Sequence, residues 1–172
     1  MVSQEAVKWA TAAGVAVGDV LHAWKADRCI PVPIGRDWDV IRVTAHIGWD
    51  ALARMRLADH DFGPVVMNRP RRTLEIVVPP GSAAAWPALD RSACVAAAHG
   101  HLRCPPPWTR APGVEAAGYG WVYAAPGTAV PYTDGDALCE AIVTAMVSRK
   151  LRASEEARTA YALSRRPAPS NP

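Results

Sequence analysis

Arginine side chains at the centre of the chain are the residues best suited to binding an anion. The segment 69–72 carries three of them between two short runs rich in β-branched residues, 65–68 and 73–78. Guanidinium groups hold phosphates by charge and by forked hydrogen bonds. We therefore expect a cationic face over a sheet, formed by Arg42, Arg69, Arg71 and Arg72. The alternative is a solvated turn with one paired arginine, because loops are often charged.

Two further groups of residues have the chemistry to contact nucleic acid. Trp108 follows three prolines and precedes Thr109 and Arg110, so we expect Trp108 and Arg110 at a binding surface where an indole can stack on a base. Cations also crowd the end of the chain, and they could contact a nucleic-acid backbone: Arg149, Lys150, Arg152, Arg158, Arg165 and Arg166. The alternative for this cluster is the solvated end of a helix, where cations complement the helix dipole.

Cysteine and histidine side chains cluster once, as Cys94, His99, His101 and Cys104, and these are weak candidates for zinc ligands. Their spacing matches no familiar closed zinc pattern, and strand alternation would put Cys104 on the face opposite His99 and His101. The sequence also lacks a GxSxG, a Walker A or a dinucleotide fingerprint. We therefore predict no metal and no cofactor. His46 and Asp50 are interpreted as flanking a turn.

Composition places the chain among ordinary globular proteins. It has 172 residues, half of them hydrophobic, a net charge of +3 and four widely spaced cysteines without a CxxC pair. No apolar run approaches the ~18 residues of a membrane span, and the start of the chain does not resemble a signal peptide. We expect a cytoplasmic protein with reduced thiols and no membrane partner.

The elements that must position these residues follow from hydrophobic periodicity. Two β-branched runs predict a hairpin over 65–78, and segments 29–34, 38–44, 119–124 and one near Leu102 predict further strands. Helices are predicted over 3–25, capped by Ser3 and divided near Gly14 and Gly18, and over 49–58. One or two helical turns capped by Ser82 follow the hairpin. Thr133 is predicted to cap a long helix that reaches about Leu163.

This order of elements predicts an α+β chain with a mostly antiparallel sheet backed by helices, as a single domain. We divide the chain into an N-terminal helical segment (1–28), an α+β domain (29–163) and a Pro-rich tail (164–172) that we expect to be disordered.

Segments 40–52, 63–81, 101–107, 119–127 and 132–142 read VIRVTAHIGWDAL, GPVVMNRPRRTLEIVVPPG, HLRCPPP, YGWVYAAPG and YTDGDALCEAI. In their order and spacing they resemble the N-terminal domain of bifunctional DNA primase-polymerases, the archaeo-eukaryotic primase fold. More narrowly, the chain is similar to short actinobacterial proteins related to that domain. The resemblance covers about two-thirds of the chain and implies a primase-polymerase-like fold with a nucleotide-binding cleft.

The same resemblance implies that the family's chemistry has been lost. Phosphoryl transfer needs paired carboxylates that hold divalent metal, and Arg42 and Thr44 occupy the strand positions where the family carries them. Thr73 stands in place of the family's histidine. A guanidinium cannot bind a cation, so a degenerate active site is implied. A shifted alignment would instead bring Asp37 and Asp39 into the acidic role.

Three hypotheses follow for function. The first is a non-catalytic nucleic-acid-binding or nucleotide-binding, regulatory module of primase-polymerase-like fold. The second is a protein-interaction or scaffold module on the same fold, which binds another protein or a second copy of itself. The third is an enzyme with new chemistry in the old cleft.

Overall fold

The chain adopts an α+β fold, which confirms the predicted class. A computed structural model describes residues 2–165. In chain order its elements are α1 (Gln4–Ala12), α2 (Val17–Lys25), β1 (Ile30–Pro33), β2 (Asp39–Thr44), α3 (Ala45–Leu57), β3 (Val65–Asn68), β4 (Thr73–Val78), α4 (Ser82–Ala85), β5 (Cys94–Ala97), β6 (His101–Cys104), β7 (Tyr119–Trp121) and α5 (Gly135–Ser164).

Five strands form the main sheet in the order β5-β2-β4-β3-β7, and all neighbours are antiparallel. The hairpin β3–β4 has the predicted bounds, because its alternating apolar residues and its Arg-Pro tip both mark them. Strand β2 lies next to β4 in a register that pairs Arg42 with Glu75 and Thr44 with Thr73. The sheet therefore brings residues from separate segments side by side.

A separate two-stranded ribbon, β1–β6, covers part of the main sheet. Strand β1 contains Pro31 and Pro33, which cannot donate to a second neighbour, so pairing on one side only suits its sequence. This agrees with the strand predicted for 29–34. Helices α1 and α2 are separated at Gly14, which has a φ of +102°, as the division of the N-terminal segment predicts.

Apolar residues pack on both faces of the main sheet. One side, which we call the ribbon face, carries Val40, Val66 and Val77 and packs against α1, α2 and the ribbon. The other side carries Ile41, Val43 and Leu74 and packs against α3 and α5. Because side chains alternate along a strand, Arg42, Thr44, Thr73 and Glu75 lie on the ribbon face.

Helix α3 begins at Ala45, four residues before the predicted start at Trp49. The interpretation of His46 and Asp50 as residues that flank a turn is therefore wrong, since both lie on the helix. Gly48 suggests a turn, but it lies inside α3, where its lack of a side chain allows close packing. A Cβ at position 48 would lie 2.9 Å from the side chains of both Leu74 and Val43.

Two predicted helix caps are corrected by the structure. Asp134 caps α5, because its carboxylate accepts a hydrogen bond from the backbone N–H of Ala137 at 2.7 Å. Thr133 is instead buried, where its hydroxyl accepts from the N–H of Gly63 at 3.1 Å. Ser82 is the first residue of the one-turn helix α4, which follows Gly81 at a φ of +88°.

Strand β5 was not predicted, since the sequence suggested only one strand near Leu102. Helix α5 ends at Ser164, one residue past the predicted end. The predicted disorder of the tail 164–172 falls almost wholly outside the described residues. Within residues 2–165, no helix combines the length and apolarity that a membrane crossing requires.

Candidate functional site

A small polar cavity opens on the ribbon face of the main sheet, where the hairpin tip and the ribbon meet. Its volume is about 90 Å³, and we call it the arginine pocket. It is lined by Arg42, Asn68, Arg71, Glu75, His101, Arg103 and Tyr119. Three guanidinium groups face one carboxylate, so the pocket carries an excess of two positive charges with neutral histidine.

Glu75 and Arg42 form the floor of the pocket. The carboxylate of Glu75 is 3 % exposed, and its Oε1 lies 3.4 Å from Nε of Arg42. Nη2 of Arg42 donates to the carbonyl oxygen of His101 at 2.9 Å, which ties the sheet to the ribbon. A buried carboxylate requires such a partner, because an unpaired charge inside a protein is strongly destabilising.

Asn68 connects this floor to the hairpin tip. Its Nδ2 donates to Oε1 of Glu75 at 3.1 Å, and its Oδ1 accepts from the backbone N–H of Arg71 at 3.1 Å. Asn68 is itself only 3 % exposed. The amide therefore fixes the backbone at Arg71 relative to the carboxylate, and the tip is held at the rim of the pocket.

Two of the three guanidinium groups are free to meet a ligand. Within residues 2–165, neither Arg71 nor Arg103 forms an ion pair. The Arg103 guanidinium lies 6.0 Å from the centroid of the Tyr119 ring, at the limit of a cation–π contact. An anion entering the pocket would meet both cations without displacing a carboxylate from either.

Two buried hydroxyls beside the pocket have no hydrogen-bond partner in the described part of the chain. They belong to Thr44 and Thr73, which lie opposite each other across the β2–β4 pair. Nε of Arg42 likewise makes no hydrogen bond, although it is paired with the Glu75 carboxylate at 3.4 Å. All three atoms are fully buried, so they offer no surface to a ligand in this conformation.

The structure brings Arg42 and Arg71 together in this pocket, with His101 of the weak metal candidates, and places the other predicted site residues elsewhere. Arg69 is paired with Glu115, with Nε 2.9 Å from Oε2. This pair lowers the pKa of the Glu115 carboxyl, chiefly through the side-chain hydrogen bond from Arg69. Arg72 lies at the hairpin tip with a φ of +52° and does not line the pocket.

Trp108 and Arg110 lie in the loop after β6 and do not line the pocket. The indole N–H of Trp108 donates to the carboxylate of Asp27 at 3.0 Å, and the ring is 39 % exposed. One guanidinium nitrogen of Arg110 donates to the carbonyl oxygens of Pro107 and Thr109. Both side chains therefore make contacts that hold the loop in its present conformation.

The weak metal candidates do not converge. Cys94 packs on the α3–α5 side of the sheet, whereas Cys104 belongs to the core on the ribbon face. Residues 2–165 contain no group of three or more His, Cys, Asp or Glu side chains able to hold a metal ion. His99 precedes the turn at Gly100, and only the backbone carbonyl of His101 contacts Arg42.

Asp37 and Asp39 do not face the arginine pocket. Asp39 alternates with Ile41 onto the α3–α5 side of the sheet, is 2 % exposed and accepts from the backbone N–H of Ala83 at 2.9 Å. Asp37 precedes β2, and its backbone carbonyl accepts from the hydroxyl of Tyr132 at 3.1 Å. Asp39 thus serves to hold α4 against the sheet.

Four pocket residues were not predicted from the sequence: Asn68, Glu75, Arg103 and Tyr119. The fifth, His101, was predicted only as a weak candidate for a zinc ligand. A signal existed for Glu75, because a lone carboxylate inside the apolar strand TLEIVV needs a cation partner. A second signal existed for Arg103, which alternates with buried Leu102 and Cys104. No local feature of the sequence predicted the contact between β6 and β2.

Comparison of the chain with protein-family models, with curated proteins and with solved structures finds no match in any of the three. The geometry of the pocket is therefore the basis for any statement about function.

Proposed function

We propose that this chain is a non-catalytic binding module of primase-polymerase-like fold that holds an anionic group of a nucleotide or nucleic acid in the arginine pocket. The observation that carries the proposal is the enclosure of one cavity by Arg42, Arg71 and Arg103 with a single compensating carboxylate. Guanidinium groups in a recess recognise phosphate by charge and by paired hydrogen bonds.

The size of the pocket favours part of a ligand over a whole molecule. Its volume of about 90 Å³ is well below the roughly 300–1,000 Å³ of cavities that enclose an entire small molecule. One phosphate group fits such a recess while the remainder of the ligand lies outside. A nucleotide or a single-stranded backbone has this form, and a polynucleotide would run across the rim formed by the hairpin tip.

The placement of Arg42, Thr44 and Thr73 supports the proposed relation to primase-polymerases. The resemblance assigns these three positions to one active site, and they lie together on the ribbon face, with Thr44 opposite Thr73. A cation stands where the family's metal-binding carboxylate would be. The pocket thus attracts the phosphates directly, without metal, and has one carboxylate, that of Glu75, in place of the pair that phosphoryl transfer through bound metal requires.

The test is a fluorescence-anisotropy titration of a labelled single-stranded oligonucleotide at low and at moderate salt. We expect salt-sensitive binding, because each phosphate neutralised on a single strand contributes about −0.7 to the slope of log K against log salt. Arg103→Gln and Arg71→Gln should each weaken binding several-fold. Arg91→Gln removes the same charge from an exposed position outside the pocket and is the matched control.

The outcomes separate the pocket from a general charge effect. Equal loss in Arg91→Gln and Arg103→Gln would mean that net charge alone attracts the strand, and the pocket would have no part in it. Absence of salt-sensitive binding to oligonucleotides and to free nucleotides would contradict the proposal.

A further inference from the structure

The second half of helix α5 projects from the body of the protein. The last contacts that anchor it are made by Arg149, which donates to the Asp50 carboxylate at 2.9 Å, and by Arg152, whose guanidinium lies 3.6 Å from the same carboxylate. In the described chain, no hydrogen bond or ion pair joins 153–164 to another element. These twelve residues extend for about 18 Å at the helical rise.

Segment 153–164 continues a 30-residue helix whose first half packs on the body of the protein, but it has no tertiary packing of its own. Tertiary packing supplies most of the stability of helices in proteins. Every residue from 150 to 165 is exposed in the monomer. A partner that packs on this segment would supply the missing contacts.

Apolar side chains mark the side on which a partner would pack. Of the ten exposed large hydrophobic residues in the described chain, five lie on α5. Four of these, at 38–60 % exposure, lie on the side of the helix opposite its buried residues Leu138, Ala141 and Ala145: Val143, Val147, Leu151 and Tyr161. At 100° per residue they share one side with Ser154, Glu155 and Arg158, and we call this side the outer face of α5.

The charges on the outer face indicate which partner packs there and in which orientation. Glu155 and Arg158 lie within one turn of each other, so a second copy packed in parallel would place like charges together. An antiparallel copy that crosses near residues 156–157 places Glu155 opposite Arg158 of the second copy. The same crossing places Leu151 against the Tyr161–Ala162 region of the second helix. This register therefore matches opposite charges and covers Leu151 and Tyr161, whereas Val143 and Val147 lie outside it.

We infer that the chain self-associates through the outer face of α5, as an antiparallel pair of helices. The acidic residues Glu155 and Glu156 interrupt the cations of this segment, which argues against a uniformly cationic surface for nucleic acid or anionic lipid. This inference stands on α5 alone and does not depend on the arginine pocket.

Sedimentation velocity of the full chain over a range of concentrations tests the inference. We expect wild type to sediment with twice the mass of one chain, and Leu151→Lys to be monomeric. Leu163→Lys is the matched control, since Leu163 is equally exposed, at 57 % against 60 %, on the same helix but on its opposite side. Circular dichroism checks that each variant remains folded.

A charge exchange tests the register. Glu155→Arg should weaken the dimer at least tenfold, and adding Arg158→Glu to it should restore the wild-type affinity. A monomeric wild type at all concentrations would overturn the inference, as would equal effects of Leu151→Lys and Leu163→Lys. Association that appears only with added oligonucleotide or anionic vesicles would also overturn it.

Discussion

Arg42 and Glu75 occupy directly opposed positions on neighbouring antiparallel strands, with 3.4 Å between Nε and Oε1, at the floor of the arginine pocket. The pair neutralises one of the three guanidinium groups and leaves Arg71 and Arg103 as the uncompensated cations of the pocket. Opposite charges at paired positions also stabilise a sheet.

Replacing Glu75 by glutamine should separate the effect of the carboxylate on stability from its effect on anion binding. We expect Glu75→Gln to lower the free energy of unfolding by about 1–3 kcal/mol, because the partly buried Arg42 loses its counter-charge. Removal of the carboxylate should raise affinity for inorganic pyrophosphate roughly tenfold. Urea unfolding measures the free energy of unfolding, and calorimetric titration measures the affinity for pyrophosphate. Asp61→Asn is a surface control with the same change of charge. Weaker pyrophosphate binding by Glu75→Gln would show that the carboxylate positions the arginines.

Gly35 should be intolerant of a side chain for steric reasons. It has a φ of +99°, and a Cβ there would lie 1.8 Å from the carbonyl oxygen of Ala98. Gly35→Ala should lower stability by more than about 3 kcal/mol, measured by urea unfolding. Gly100, with a φ of +93° and no atom within 4 Å of a Cβ, isolates the backbone strain, and Gly100→Ala should cost about 1 kcal/mol. Similar losses in both variants would contradict the close approach at Gly35.

The residues at the start of α5 should differ in their effects on stability. Asp134→Ala removes the cap and should lower the free energy of unfolding by about 1 kcal/mol. Thr133→Val leaves the buried N–H of Gly63 without its acceptor and should cost about 1–3 kcal/mol. Chemical denaturation measures both. A larger loss of helix content in Thr133→Val than in Asp134→Ala would favour Thr133 as the cap.

Hydrophobic alternation and turn chemistry were sufficient to predict the hairpin β3–β4, where both signals agree. They did not predict that α3 extends through Gly48, because the glycine is required inside the helix for packing against Leu74 and Val43. They also failed at β5, where alanines at positions 96 and 97 carry little strand signal. Arg42 was predicted as a site residue, but Glu75 and Arg103 reach it only through strand register and the position of the ribbon. Local sequence does not encode those contacts.

The four cysteines are free thiols, and burial should make them differ in reactivity. Burial raises the pKa of the Cys94 thiol to about 11 and that of Cys104 well above its usual range. At pH 8 only about one Cys94 in a thousand is a thiolate, the form that reacts with Ellman's reagent. We expect at most the half-buried Cys29 and Cys139 to react readily in the native protein, and all four in urea. Rapid reaction of all four thiols in the native protein would contradict the burial of Cys94 and Cys104.

The same thiols give a pH dependence of stability with a definite sign. Their pKa values are raised in the folded state, so the unfolded chain loses thiol protons first, near pH 8.5. This contribution to stability is fully present below that pH. It is lost as the pH rises through the folded pKa values, so the free energy of unfolding should fall between about pH 8.5 and 11.

Binding of a nucleoside triphosphate in the presence of EDTA, and again with Mn²⁺, tests the central claim most directly. If guanidinium groups hold the phosphates in place of metal, calorimetry should give binding in EDTA that is at least as tight as with Mn²⁺, and Arg103→Gln should weaken both. Binding that requires Mn²⁺ and disappears in Asp37→Asn or Asp39→Asn would contradict the account.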